Sequence, residues 1–171
     1  MEYKASLDNT AKIITVLVIA VFVYLGYRSI HLMMLHPDDL RMLLVQGGVL
    51  LLFLVLIIGS YLMSPRYYRV ENDNLVIVRP AKNKLISLDE IASVRILDPN
   101  EAGGAIRTFG NGGLFGYYGK YFYPKFGRVT LYTSQRKNRI LIETKQGFKF
   151  MISPDDTDII QHIERKKHFS S

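Results

Sequence analysis

Two long apolar runs in the first 63 residues constrain this chain more than any other feature of its sequence. The first, residues 13–35, opens with fifteen residues that carry no charge, and the second, residues 43–63, carries no charge at all. At about 1.5 Å per residue, a helix over either run covers the roughly 30 Å hydrocarbon core of a bilayer. Arg28 lies inside the first run, where its long side chain can extend to the interface. The sequence therefore predicts two transmembrane helices.

The basic residues around the two runs predict how they are oriented. Lys4 and Lys12 precede the first run and a dense group of Arg and Lys follows the second, whereas the short connection at 36–42 holds only Arg41. The positive-inside rule then assigns residues 1–12 and 64–171 to the cytoplasm and makes 36–42 an external loop. A cleavable signal peptide for the first run, or a buried helical hairpin in a soluble core, are the alternatives.

At the outer end of the second run, Gln46, Gly47 and Gly48 form a small polar group. Small residues allow two helices to approach closely, and an amide can form a hydrogen bond across the contact. We expect these residues to pack the two helices together, in preference to forming a polar transport site.

The charge of the chain lies entirely in its C-terminal part. The first 64 residues hold four basic and four acidic side chains, so the remaining residues carry the whole net charge of +7. Beside a membrane, such a domain has a nearer source of negative charge in anionic lipid than in nucleic acid. Because the chain has no cysteine, thiolate metal sites, cysteine nucleophiles and a disulfide scaffold are excluded.

Short alternating runs after residue 64 predict an all-β domain. About seven antiparallel strands are expected, at residues 67–71, 75–79, 84–88, 93–97, 128–133, 140–144 and 148–152. The last three of these strands should form a meander. The segment Ser153-Pro154-Asp155-Asp156 is typical of a helix start, with Ser153 as the N-cap. An apolar stripe at Ile159, Ile160 and Ile163 then predicts an amphipathic C-terminal helix.

The most unusual segment is 103–127, which holds eight of the 13 glycines and eight of the 20 aromatic residues. It does not have the glycine spacing of dinucleotide-binding or P-loop motifs. Three interpretations stay open: a flap or tight hairpin packed over the sheet, a contact surface for a partner or for lipid headgroups, or a ligand-binding site. The candidate contact residues are Arg107, Phe109, Phe115, Tyr117, Tyr118, Lys120, Tyr121, Lys125 and Arg128.

Part of this segment also carries a family resemblance. Residues 107–119 (RTFGNGGLFGYYG), with Tyr132-Thr133 and Ile152-Ser153-Pro154-Asp155, resemble bacterial pleckstrin-homology-like (PH-like) domain proteins, in which one or two membrane helices commonly precede the domain. The resemblance implies a membrane α-helical hairpin followed by an all-β PH-like barrel, capped by a C-terminal α-helix. It also implies a protein of the bacterial cytoplasmic (inner) membrane with no known enzymatic activity and with a function that is generally not established.

Two departures separate this chain from the PH domains that bind phosphoinositides. Those domains usually carry basic residues around the first hairpin turn, whereas the turn here is Glu71-Asn72-Asp73-Asn74. Their helix generally contains a tryptophan, and this chain has none. Phosphoinositide recognition is therefore not expected from the resemblance.

The sequence offers no catalytic constellation and no cofactor motif. The acidic cluster Asp155, Asp156 and Asp158 is assigned to capping of the last helix, in preference to a metal site. The leading hypothesis is a non-enzymatic, membrane-anchored PH-like module that binds a protein partner at the cytoplasmic membrane face, without nucleic acid. The alternatives are peripheral contact of the basic domain with anionic lipid, or a small structural subunit of a membrane complex.

Overall fold

Two long helices lead into a strand-rich domain in the computed structural model, which describes residues 1–98 and 100–170. Helix α1 covers Asn9–Leu35 and helix α2 covers Leu40–Met63. Both begin a few residues before the apolar runs because aspartates cap them: Asp8 accepts a hydrogen bond from the amide of Ala11, and Asp39 accepts from those of Arg41 and Met42. The hydropathy pattern finds the helices, and the capping residues decide where they start.

Helices α1 and α2 pack as a hairpin. Phe22 stacks on Phe53 with ring centroids 4.4 Å apart, and a side chain at Gly26 would lie 3.6 Å from Leu50. The prediction that Gly47 and Gly48 pack the helices together is wrong, because nothing lies within 4 Å of the position of a Cβ on either. The contact between the helices forms at Gly26 and Leu50 instead.

Most of the surface of the two helices is apolar and exposed. None of the residues of α2 is buried, and both helices are long and apolar enough to cross a membrane. Their lengths of 27 and 24 residues correspond to about 40 and 36 Å. The few buried residues of α1, such as Ala11 and Thr15, include those on its first turns, where it meets the domain.

A short strand before α1 joins the helical hairpin to the domain. Strand β1, Glu2–Lys4, pairs antiparallel with β2, Tyr67–Glu71, with Tyr3 opposite Tyr68. The sequence pattern does not predict β1 because three residues are too few to show an alternation. The pairing places the start of α1 and the end of α2 on the same sheet.

The first sheet has four strands in the order β1-β2-β3-β4, with β3 at Asn74–Val78 and β4 at Lys84–Ser87. Strands β2 and β3 are joined by a two-residue turn in which Asn72 and Asp73 have φ angles of 46° and 54°. Asparagine and aspartate tolerate this left-handed conformation, which matches the twist of a tight hairpin. A short 3-10 turn at Leu88–Glu90 leads out of the sheet.

The second sheet has six strands in the order β5-β9-β10-β8-β7-β6. Their bounds are β5 Ile91–Ile96, β6 Ile106–Gly113, β7 Gly116–Tyr123, β8 Gly127–Thr133, β9 Ile140–Thr144 and β10 Lys149–Ile152. The seven predicted strands are present, and β1, β6 and β7 are added to them. The PH-like fold is confirmed, although the described strands form two open sheets and not a closed barrel.

The predicted meander of the last three strands is wrong. Strand β10 lies between β8 and β9 and runs parallel to β8, with Ile152 opposite Tyr132. The Ser153 hydroxyl accepts hydrogen bonds from the amides of Ser134 and Gln135, at 2.9 and 3.2 Å. These bonds tie the end of β10 to the end of β8 and so hold the parallel pair.

The same contacts explain why the last helix starts late. Helix α3 covers Ile159–Ser170, so Ser153 is not its N-cap. The Ser153 hydroxyl is fully buried between strands, and the amide of Asp155 donates to the carbonyl of Lys4 at 2.9 Å. Residues 153–158 therefore run beside the N-terminal segment, and α3 begins only at Ile159. The predicted domain end at residue 171 lies outside the described residues.

Apolar side chains cover both faces of the second sheet. One cluster lies between the two sheets and α3, and includes Tyr68, Ile142 and Ile159. The other, on the opposite face, contains Ala11 of α1 with Tyr117, Tyr121, Tyr123, Leu131 and Leu141. Since Ile140, Leu141 and Ile142 alternate between these clusters, all three residues of this unbroken apolar run in β9 are buried.

Candidate functional site

The glycine and aromatic segment forms the β6–β7 hairpin, whose shape depends on its glycines. Gly110 of β6 lies directly opposite Gly119 of β7, and both have φ angles near 120°. A Cβ at Gly119 would lie 2.6 Å from the Cα of Gly110 and would overlap the carbonyl oxygen of Phe109. The two strands therefore approach closely here because neither position has a side chain.

The tip of the hairpin is bound to both long helices. The Thr15 hydroxyl of α1 accepts a hydrogen bond from the amide of Phe115 at 2.9 Å and donates to the carbonyl of Gly113 at 3.4 Å. The Phe115 ring meets the Tyr61 ring of α2 edge-on, with centroids 5.7 Å apart. The tip thus lies where the two helices leave the domain.

A second contact lies two residue pairs behind the closing Gly113–Gly116 pair. The Tyr118 hydroxyl donates to the carbonyl of Ser60 in α2 at 2.7 Å and accepts a hydrogen bond from the Asn111 amide group at 2.9 Å. Asn111 and Tyr118 face each other across the hairpin. We call these tip contacts, made by Thr15, Ser60 and Tyr61 with Gly113, Phe115 and Tyr118, the helix joint.

Asp8 connects the start of α1 to the same hairpin. Besides capping α1, its carboxylate accepts hydrogen bonds from the Tyr117 hydroxyl at 3.2 Å and from the amide of Arg136 at 3.1 Å. Burial raises the pKa of Tyr117, and the negative charge of Asp8 raises it further. The hydroxyl therefore stays protonated near neutral pH and serves as a donor to Asp8.

The nine candidate contact residues fall into two groups in the structure. The side chains of Tyr117, Tyr118 and Tyr121 are buried, and that of Phe115 is half-buried at the helix joint. The other five are exposed: Arg107, Phe109, Lys120, Lys125 and Arg128. The segment is thus a packed hairpin, and part of it also presents an accessible surface, so features of the first two interpretations occur in one element.

An exposed face of the hairpin continues from the helix joint. The pairs Phe109 with Lys120 and Ile106 with Phe122 follow the Asn111–Tyr118 pair on the same side of the strands, and Arg128 of β8 lies opposite Phe122. Phe109 is 76% exposed. We call this surface the open face; its residues are Ile106, Phe109, Lys120, Phe122 and Arg128.

Sequence reasoning missed Ile106 and Phe122, which are both exposed. In β7, Phe122 is exposed between the buried Tyr121 and Tyr123, but all three residues are aromatic, so the sequence alone does not mark Phe122. The β6 side has no clear signal either, because the register shifts between Arg107 and Phe109 and breaks the alternation.

The described residues contain no group of three or more histidine and carboxylate side chains placed to hold a metal ion. In the acidic cluster after β10, the Asp155 carboxylate accepts hydrogen bonds from Ser6 and Gln135, and that of Asp156 accepts from the amide of Asp158. These carboxylates organise the chain between β10 and α3.

In the comparison with protein families, the family model described as a bacterial PH domain matches residues 66–167, more than half of the chain. The matched region runs from the end of α2 into α3 and includes both sheets except β1. Neither the curated proteins nor the solved structures contain a chain with significant similarity to this one. PH domains are generally non-catalytic binding modules for proteins or lipids.

Proposed function

This chain belongs to the bacterial PH domain family, and we propose that it is a non-catalytic module that binds a protein partner at the cytoplasmic face of the bacterial inner membrane. In this proposal, α1 and α2 span the membrane and the open face binds an extended segment of the partner. The observation that carries it is the exposure of Ile106, Phe109 and Phe122 beside the end strand of a sheet.

The proposed anchoring rests on the two helices and on their connection to the domain. Their exposed side chains are predominantly apolar, which favours a lipid environment over water. The pairing of β1 with β2 supports a hairpin whose two ends lie on one membrane side. The net charge of +7 after residue 64 favours the cytoplasm as that side.

The open face has two properties that suit an extended peptide. Strand β6 is the end strand of the six-stranded sheet, so the backbone groups on its outer side have no strand partner among the described residues. An added strand satisfies such groups, and pockets or apolar residues beside it bind alternate side chains. Lys120 and Arg128 lie within the same face, which favours an acidic segment of the partner.

A contact with anionic lipid is the second candidate. The Phe109–Lys120 pair lies next to the Asn111–Tyr118 pair, which is bonded to Ser60 of α2. Neighbouring residues on one face of a strand are about 7 Å apart, so the open face begins close to the end of the span. Exposed aromatic and basic side chains are favoured at the headgroup level.

Photo-crosslinking in native membranes separates the two candidates. A photoreactive phenylalanine analogue replaces Phe109 in the full chain, and the matched control carries it at Phe148, which is 61% exposed but lies outside the open face. We expect a discrete protein adduct from position 109 and not from position 148. The adduct should disappear when Ile106 and Phe122 are changed to serine.

A lipid adduct from position 109 in place of a protein adduct would support the second candidate and contradict the first. Equal adducts from positions 109 and 148 would contradict both, because the reaction would then depend only on exposure.

A further inference from the structure

A cleft lies on the face of the β6–β7 hairpin that is opposite to the open face. It has a volume of about 440 Å³ and is lined mainly by three arginines and three tyrosines: Arg107, Arg136, Arg139, Tyr117, Tyr121 and Tyr123. We call it the arginine cleft. Its size lies within the range of about 300–1,000 Å³ typical of small-ligand sites.

The arginines come from two separate parts of the fold. Arg107 belongs to β6, and Arg136 and Arg139 belong to the connection between β8 and β9. None of the residues that line the cleft is acidic. Among the described residues, none of these three guanidinium groups forms an ion pair. Three positive charges therefore converge on one cavity without a paired carboxylate.

Two of the three guanidinium groups, those of Arg136 and Arg139, are held by weak contacts. Arg136 lies over the Tyr117 ring, 5.0 Å from its centroid, and Arg139 donates to the carbonyl of Ala102 at 3.4 Å. The Nε of Arg139 is buried and has no hydrogen-bond partner in the described part of the chain. Buried donors in native proteins almost always have an acceptor, so this group points to an acceptor that the cleft receives from outside.

The wall of the cleft is aromatic. Tyr121 donates its hydroxyl to the carbonyl of Asn111 at 2.6 Å, and Tyr117 donates to Asp8, so both rings are fixed. Gly112 allows the Arg107 side chain to lie against β6, since a Cβ there would be 2.8 Å from the Arg107 Nη1 atom. The cleft thus combines fixed rings with a cationic rim.

We propose that the arginine cleft binds a phosphate ester, with the guanidinium groups on the phosphate oxygens and the organic part of the ligand against the tyrosines. Arginine suits this role because its planar group can donate two parallel hydrogen bonds to a phosphate. Three converging charges match a multiply charged phosphate better than a single carboxylate. The site is distinct from the β2–β3 turn and does not depend on what the open face binds.

Two sources supply this chemistry: a lipid headgroup and a soluble phosphorylated molecule. Ala11, on the first turns of α1, belongs to the same apolar cluster as the tyrosines of the cleft. This proximity to the proposed span makes a headgroup a relevant source, and the test is designed to separate the two.

The test uses the full chain in phosphatidylcholine nanodiscs, titrated with inorganic pyrophosphate in a calorimeter. Arg139→Gln and Arg136→Gln each remove one charge from the cleft, and neither residue belongs to the open face. Lys145→Gln removes the same charge from an exposed turn after β9 and serves as the matched control. The Tm of each variant verifies that it is folded.

We expect each cleft variant to weaken pyrophosphate binding by about tenfold or more, as the loss of a charged hydrogen bond implies, and Lys145→Gln to leave it unchanged. Repeating the titration with phosphatidic acid in the nanodiscs separates the sources. If pyrophosphate binds the unmodified protein more weakly in discs that contain phosphatidic acid, and the cleft variants show no such change, a lipid headgroup competes for the cleft. If the affinity for pyrophosphate is the same in both kinds of disc, the ligand is a soluble molecule.

Two results would overturn the proposal. One is the absence of pyrophosphate binding by the unmodified protein in phosphatidylcholine discs. The other is an equal loss of affinity in Lys145→Gln and in a folded cleft variant, because binding would then reflect net charge alone.

Discussion

The helix joint and the open face share the strands β6 and β7, yet the strand residues of the joint are largely buried and those of the open face are exposed. The buried aromatic residues of β7, at the joint and along the cleft, are tyrosines, whereas the exposed ones on the open face, Phe109 and Phe122, are phenylalanines. Hydropathy alone would predict the reverse.

The hydroxyl groups explain the difference. Each buried tyrosine of β7 has a partner for its hydroxyl, for example Asp8 for Tyr117 and the Ser60 carbonyl for Tyr118. A ring with one hydrogen bond can be buried and oriented at the same time. The phenylalanines have no such anchor inside the molecule, and their exposure is the feature that favours a partner outside it.

The largest effect is expected where the two strands of the hairpin touch. Gly119→Ala should lower the free energy of unfolding by on the order of 3 kcal/mol, because the new Cβ overlaps the backbone of Phe109 and Gly110. Chemical denaturation of the full chain measures it. Gly127→Ala is the control: Gly127 also has a positive φ, of 80°, but nothing lies within 4 Å. If the two variants lost the same free energy of unfolding, the positive φ angle alone, and not the close approach of the two strands, would explain the need for glycine at position 119.

A smaller effect is expected at the helix joint. Tyr118→Phe removes the hydrogen bond to the Ser60 carbonyl and leaves Asn111 with one partner fewer. We expect a loss of about 1 to 2 kcal/mol and faster amide hydrogen exchange at the tip of β6–β7. Tyr24→Phe, on the exposed surface of α1, is the matched control. If amide hydrogen exchange at the tip were unchanged in Tyr118→Phe, the claim that this hydroxyl holds the tip against α2 would be wrong.

Alkaline pH should also lower the free energy of unfolding, by a smaller amount at the pH where the buried tyrosines begin to ionise. Burial raises the pKa of Tyr118 and of Tyr121 above the ordinary value of about 10. The folded state then holds these protons more tightly than the unfolded state, so stability is complete below pH about 10 and is lost as the pH rises further. Urea midpoints at neutral pH and above pH about 10 measure the loss. If the urea midpoint of Tyr121→Phe fell by as much at alkaline pH as that of the unmodified protein, the Tyr121 hydroxyl would not contribute to the loss.

The smallest effect on stability is expected on the open face. Phe109→Ser should change the free energy of unfolding by less than about 0.5 kcal/mol, because the ring has few contacts to lose. The same variant should lose the protein adduct from a photoreactive group at position 122. A large loss of stability would show that Phe109 packs within the molecule, and the contrast between the open face and the helix joint would disappear.

The elements that follow a regular local pattern could be predicted. The apolar runs indicate α1 and α2, and the short apolar-rich runs at 67–71 and 140–144, each followed by turn residues, mark β2 and β9 at their observed bounds. The positions of β6 and β7 could not be predicted in the same way, because glycines and the register shift at Thr108 interrupt the alternation.

The candidate site could be predicted only as a segment. Its composition identified residues 103–127 as unusual, but burial divides those residues between the helix joint, the open face and the arginine cleft. Arg136 and Arg139 lie outside the segment and reach the cleft only through the path of the chain between β8 and β9.

Patterns within a few residues were thus enough to specify the two apolar helices, most strands, the amphipathic α3 and the separation of neutral and basic parts, because hydropathy and charge act locally. Tertiary contacts decided that β10 runs parallel to β8, that Ser153 ties the two strands together in place of capping α3, and which aromatic rings are buried. These outcomes depend on hydrogen bonds between residues far apart in the chain, such as Phe115 with Thr15 and Tyr118 with Ser60. A local pattern contains no information about such partners.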